Sequence, residues 1–196
     1  MNGGASATDR RPAPYVRIKM LVRRHRWLFT GAALLILVAV SGSIPMRILL
    51  IDDARSARPA LAIKVRTGDK VTLSFLHSVE HCRIRDHLQI DDAGGLVLVA
   101  TEFAESRTGL PYAAFDDEVF ERRGDHFRIS NMHRSIPEIY QWVNAEYENT
   151  FTFNTEPAVD LASLAGDTLL HIHITRLTLS QWVWLKARLL WQHRSV

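Results

Sequence analysis

Residues Val71 to Pro111 read VTLSFLHSVE HCRIRDHLQI DDAGGLVLVA TEFAESRTGL P, three apolar-rich segments parted by turn residues. In the first, Val71, Leu73, Phe75 and His77 fall on one face of an extended chain and Thr72 and Ser74 on the other, the period-two alternation of a half-buried strand. The second is sharper. Cys82, Ile84, Asp86, Leu88 and Ile90 point one way, and Arg83, Arg85, His87 and Gln89 the other, so an acid stands in a core-facing row. The third, Leu96 to Phe103, is apolar on both faces, with Leu96, Leu98 and Ala100 on one side and Val97, Val99 and Phe103 on the other. Both of its faces need a cover.

Two hairpin registers keep the apolar faces of the first two strands together. A two-residue loop at Glu80 and His81 sets His77 diagonal to Asp86, about 7–8 Å away and within reach of long side chains. A four-residue loop, Ser78 to His81, sets it opposite Cys82 and out of reach. Glu-His is poorly suited to the positive φ that two-residue loops require, so the longer loop is expected. A catalytic His77 and Asp86 pair is then disfavoured against a polar pair that fixes register, or two groups satisfied separately.

The same stretch resembles a known family. His77-Ser78-Val79-Glu80, then Ile84 and Asp86, then Gly95 to Val99 and Gly109-Leu110-Pro111, are similar to the bacterial domain of unknown function 1850 family, encoded beside TAXI-type TRAP transporters. The likeness covers roughly Leu61 to Thr175. It departs at Arg83, where the family has proline, and at Arg107 and Thr108 before Gly109. What it implies is a context of solute transport across the inner membrane rather than a reaction, with the TRAP permease or its solute receptor as partner. His77, Ser78, Glu80, Asp86, Gly109, Leu110 and Pro111 are the motif positions it marks for binding or structure.

Outside this block, strands are expected at Leu61 to Arg66, Glu118 to Glu121, Phe127 to Ser130, Thr150 to Asn154 and Thr168 to Thr175. Gly68-Asp69, Asp92 to Gly95, Gly124-Asp125 and Gly166-Asp167 supply turns. Ile136 to Val143 and Val159 to Leu164 read as short helical turns. About eight short strands at this spacing predict a mainly β fold, a small antiparallel sandwich or barrel.

The chain has 196 residues, enough for one domain and a tail, and is 47% hydrophobic. Its charge is unevenly placed. Arg10, Arg11, Arg17, Lys19, Arg23, Arg24 and Arg26 oppose Asp9 alone in the first 26 residues, and the remainder is slightly acidic. No aromatic interleaving or groove-reading motif accompanies the basic tail, which argues against nucleic acid. Trp27 to Ile44 follows without a charge and is about as long as the shortest spanning helices. Basic residues on its N-terminal flank predict a cytoplasmic tail, a single inner-membrane pass and a periplasmic domain. A cleaved signal peptide with Ser41-Gly42-Ser43 at its end is the competing reading. Residues 45–60 read as a linker, 61–175 as the β-domain and 176–196 as a tryptophan-rich C-terminal helix.

That helix carries Trp182, Trp184 and Trp191 among Leu and Val, with Lys186 and Arg188 inside it. It is too short and too charged to span, and tryptophan favours the headgroup level, so an interfacial or partner-docked helix is expected, with Trp27 as a further bilayer contact. The single cysteine, Cys82, excludes an intramolecular disulfide.

Chemical motifs are sparse. His77 and His81 would lie about 13 Å apart on a strand, too far to share an ion. His171 and His173 share a strand face, but no Cys or carboxylate neighbours them in sequence, and a solvated outer face is expected. Ser78 adjoins His77, yet adjacent strand residues point oppositely. Glu102, Glu105 and Asp116 to Glu118 could supply a glycosidase-like acid pair, though a solvated loop accounts for them. No nucleophile elbow, phosphate loop or dinucleotide fingerprint occurs. No cofactor, metal or catalytic residue is expected; the alternative is a periplasmic enzyme or metal-binding domain built on His77, Glu80 and Asp86.

Overall fold

A computed structural model describes residues 29–36, 39–40, 42–77, 82–104 and 114–193. The chain divides into two units, one ending at Ile44 and one running from Pro45 onward. In the first, residues 29–36, 39–40 and 42 are helical. Among the described residues, no helix is long and apolar enough to cross a membrane. The basic tail, Trp27 and part of the expected spanning segment lie outside the described residues.

The second unit is a two-layer antiparallel sandwich. Its strands are β1 (Pro45–Asp53), β2 (Pro59–Lys64), β3 (Lys70–Leu76), β4 (Arg83–Ile90), β5 (Leu96–Phe103), β6 (Val119–Arg123), β7 (His126–Ile136), β8 (Glu138–Val143), β9 (Thr150–Phe153), β10 (Val159–Asp160) and β11 (Thr168–Thr178). One sheet has the order β2-β1-β11-β8 and the other β10-β9-β3-β4-β5-β7-β6. Leu49, Ile51, Val143, Leu170 and Ile172 of the smaller sheet meet Val71, Leu73, Leu88, Ile90, Leu96 and Phe151 of the larger in one buried core. A second cluster continues the inner face of the larger sheet, with Cys82, Ile84, Phe103, Ile129 and Met132 packed beside Phe120 and Phe127.

Three expectations are corrected. Residues 45–60 are no linker: Pro45–Asp53 is an inner strand of the smaller sheet, hydrogen-bonded to both β2 and β11. Leu49 and Ile51 face the core while Ile48 and Leu50 face a helix, so β1 is apolar on both sides and lacks the alternation that marks a half-covered strand. The polar run after it is the β1–β2 turn. There the Asp53 carboxylate is held well below the usual range by the Thr168 hydroxyl and by hydrogen bonds from Ser56 and Arg55. Ile136 to Val143, expected as helical, is the end of β7 and all of β8, with Ile139 and Val143 turned to the core and Tyr140 and Trp142 outward.

The third correction concerns β5. Val99 is bulged out of the ladder, so Leu88 pairs with Leu98 but His87 pairs with Ala100. β7 is irregular at the same level, where Asn131 takes a positive φ of 59°. A bulge exchanges the faces of everything beyond it. Phe103, expected opposite Leu96, therefore joins it on the inner face, and both are buried.

Among the described residues, a 3-10 turn at Ala145–Tyr147 and two α-helices complete the unit, α1 (Leu161–Ala165), capped by Asp160, and α2 (Leu179–His193). Leu185, Leu189 and Trp182 seat α2 on Ile48, Leu50, Ala62, Met46 and Leu177, the outer face of the smaller sheet. Lys186 donates to the Ala62 carbonyl at 3.0 Å. Val183, Trp184, Leu190 and Trp191 remain exposed on the other side.

Candidate functional site

The β3–β4 hairpin takes the longer of the two expected registers. Leu76 pairs with Arg83, and the His77 amide donates to the Cys82 carbonyl at 2.9 Å. Asp86 then stands opposite Leu73, on the inner row with Ile84 and Leu88. On its other side it faces Thr101, whose hydroxyl donates to Asp86 Oδ1 at 2.7 Å. The Val99 bulge makes this contact, since an unbroken register would have brought Ala100 opposite Asp86. Burial pushes the Asp86 carboxyl above its ordinary value, and the Thr101 hydrogen bond and the charge of His87 offset only part of that.

Asp86 lies in the wall of a cleft of about 550 Å³ between the inner face of the larger sheet and edge strand β8. Leu73, Phe75, Leu88, Leu98, Ile136 and Ile139 give it an apolar lining; His77, Gln141, Tyr147 and Asn149 add polar groups. His77 and Asp86 thus share a cleft, while the hydrogen bond that Asp86 accepts comes from Thr101. A mainly apolar concavity with a few convergent polar groups is the usual form of a small-molecule site. Its acid favours a ligand that brings a hydrogen-bond donor or a cation.

The outer face of the same sheet carries a different network. Glu102 is approached by the Arg128 guanidinium, by Arg85 at 3.8 Å and by His87 Nε2 at 3.4 Å. Burial alone would raise the Glu102 carboxyl, but His87 and Arg128 bring it below its ordinary value. Thr72 Oγ1 lies 3.1 Å from His87 Nδ1, and Arg83 bonds Ser74 and pairs with Glu148. Glu118, also weighed as a member of an acid pair, is clasped through both carboxylate oxygens by Arg134, at 2.8 and 2.9 Å. Glu102 and Glu118 are thereby committed to arginines.

Of the expected motif positions, Ser78, Glu80, Gly109, Leu110 and Pro111 lie outside the described residues, as do His81 and Glu105. Trp182 is part-buried under α2, whereas Trp184 and Trp191 are exposed. Sequence reading missed Thr101, Tyr147 and Asn149. Alternation along β4 pointed to the acid, but the partner depends on a bulge that no residue type announces. It also expected a solvated face around His171 and His173, where the structure sets both half-buried beside Asp52.

Every residue lining the cleft falls between Leu73 and Asn149. No curated protein and no solved structure matches the chain. Residues 71–158, which hold the whole cleft, match the model of the family described as Domain of unknown function (DUF1850).

Proposed function

We propose that this chain is a membrane-anchored accessory subunit of a TAXI-type TRAP transporter, with a binding or assembly role in solute uptake on the periplasmic side of a bacterial inner membrane. The observation that carries a binding role is the cleft between the sheets, where Asp86 stands in an apolar wall with His77, Tyr147 and Asn149 nearby. Its containment in the matched stretch ties it to the part of the chain that carries the family resemblance. The transporter context rests on that resemblance, and anchoring rests on the basic residues before the uncharged run from Trp27 to Ile44. The exposed apolar side of α2 supplies a second contact suited to headgroups or to permease helices.

Co-expression of the chain with the permease and solute receptor of a TAXI-type TRAP transporter from the same genome tests the reading. Recovery of a complex from detergent extracts, and loss of solute uptake on deleting the chain, are expected. Asp86→Leu should depress uptake while leaving the complex intact. A chain that neither co-purifies with either component nor affects uptake refutes the accessory role, and an Asp86→Leu protein with full uptake removes the cleft from it.

A further inference from the structure

We propose that Asp52, His171 and His173 form a binding site for a late first-row divalent cation such as Zn²⁺, with Glu138 as the outer partner that orients His171. The site lies on the outer face of the smaller sheet, where Glu138 and Tyr140 also line the Asp86 cleft, and three strands assemble it. Asp52 of β1 pairs with His171 of β11. On the far side of β11, Tyr140 of β8 pairs with His171 and Glu138 with His173. Sequence spacing could show the two histidines sharing a face, but the carboxylates arrive from segments more than a hundred residues before them and about thirty before them.

One carboxylate oxygen and one ring nitrogen from each histidine lie within 4.8 Å of one another. Asp52 Oδ1 and His173 Nδ1 are buried without a hydrogen-bond partner. Buried polar atoms are rarely left unpaired, and two of them within 4.8 Å of each other point to a shared partner. His171 sharpens the case. Its Nε2 lies 2.8 Å from Glu138 Oε2 and its Nδ1 3.4 Å from Asp52 Oδ1, so a ring that donates from Nε2 to Glu138 presents its Nδ1 lone pair to the Asp52 side. In that tautomer the Nδ1 lone pair and the Asp52 carboxylate face each other with no proton between them, the arrangement of two ligands around a cation.

A cation resolves this arrangement. Ligands at 2.0–2.1 Å around tetrahedral zinc stand roughly 3.3 Å apart, close to the Asp52 to His171 separation. Histidine ligands commonly donate their other ring N–H to a carboxylate, which Glu138 accepts. The rings are also held: His171 is stacked between Tyr140 at 4.6 Å and His173 at 4.1 Å. The three ligand atoms, all within 4.8 Å of one another, reach that tetrahedral spacing by side-chain adjustment. Two imidazoles and one carboxylate suit Zn²⁺ and its neighbours better than Mg²⁺ or Ca²⁺. Three protein ligands leave a fourth position for water or another ligand. Asp52 also lines a groove of about 530 Å³ beside α2, with Leu50, Trp184 and Arg188.

The test is Zn²⁺ titration by calorimetry on full-length protein in detergent, stripped beforehand with chelator. One equivalent should bind with a Kd of micromolar or tighter. Asp52→Ala and His173→Gln should each weaken binding at least tenfold, and Glu138→Gln should weaken it about 10–100-fold. His77→Ala should leave it unchanged, which separates this site from one in the cleft. Circular dichroism melts without metal identify folded variants; if Asp52→Ala fails to fold, His173→Gln and Glu138→Gln decide. No saturable binding at 100-fold the expected Kd overturns the proposal, as does binding that survives in folded His173→Gln or disappears in His77→Ala.

Discussion

Thr101 donates its hydroxyl to Asp86 across the β4–β5 ladder because Val99, two residues earlier, is left out of that ladder. The bulge thus does two things at once: it turns Phe103 into the core and supplies the donor that the inward-facing acid needs. A buried polar group deprived of its partner costs about 1–3 kcal/mol, more when it is charged. Thr101→Val, nearly isosteric, should destabilise the domain by about that amount at pH 7. The penalty should shrink in acid, where Asp86 is protonated. Chemical denaturation at pH 7 and pH 3 measures both, and an unchanged midpoint at pH 7 would show the contact to be idle.

The β3–β4–β5 meander was legible in sequence because each of its first two strands buries one face and solvates the other, as Ile84 and Arg85 show. Their four-residue connection was legible too, through the unsuitability of Glu80 and His81 for a tight turn. What escaped reading is buried twice. β1 is covered on both faces, so Ile48 and Leu49 carry no alternation and merge with the apolar run before them. β8 was hidden differently: Pro137 and a short mixed run, Glu138 to Val143, fit a helical turn as well as an edge strand until Ile139 and Val143 find a core. Asp86 could be read as an acid with a partner, but the cleft around it needs β8 and Tyr147, which only the fold brings there. The site at His171 needed Asp52 and Glu138 for the same reason.

Asp86 also makes stability depend on pH in a defined direction. Burial raises its carboxyl above the ordinary value of 3.8, so the folded protein holds that proton more tightly than the unfolded chain. Its contribution is fully present below pH 3.8 and is lost as pH rises through the folded-state value. Asp86→Asn, which cannot ionise, should therefore gain stability relative to the parent on going from pH 3 to pH 7. Parallel denaturation curves at the two pH values check this; a difference between the proteins that stays constant with pH refutes it.

Gly94 is predicted to be far less replaceable than its neighbour. It closes the β4–β5 turn at a φ of 84°, and an added Cβ would lie 2.6 Å from Arg47 Nε. That arginine ties β1 to the turn through the Asp92 carbonyl at 2.9 Å. Gly94→Ala should cost about 1 kcal/mol or more through backbone strain and displacement of Arg47. At Gly95 the new methyl would meet only ordinary contacts at 3.6 Å with Asp91, so Gly95→Ala should change the unfolding midpoint little. Equal effects of the two substitutions in thermal melts would contradict the distinction.

Membrane topology is open to a direct measurement. Arg23, Arg24 and Arg26 precede the uncharged run, so a C-terminal domain outside the cytoplasm is expected. Alkaline phosphatase fused after Val196 should be active in cells and green fluorescent protein at the same position dark. The reverse pattern would place the sandwich in the cytoplasm and end the accessory-subunit reading.

The last prediction separates the two sides of α2. Leu185 and Leu189 are buried against Ile48 and Ala62, while Val183, Leu190 and Trp191 are exposed although equally apolar. A helix that is apolar around most of its circumference is normally covered on all sides, and tryptophan among cations suits the headgroup zone. Leu185→Ala should cost about 2–5 kcal/mol, since it empties a packed contact. Val183→Ser with Leu190→Ser should leave the melting temperature nearly unchanged, because neither side chain supports the domain. The same pair should weaken recovery of the chain with the permease, whereas Leu185→Ala should act on recovery only as far as it unfolds the protein. Should the serine variant melt early, the outer side of α2 is packed against this chain; should it melt normally and still co-purify in full, the permease contact lies elsewhere, and the cleft rim at His77 becomes the surface to mutate.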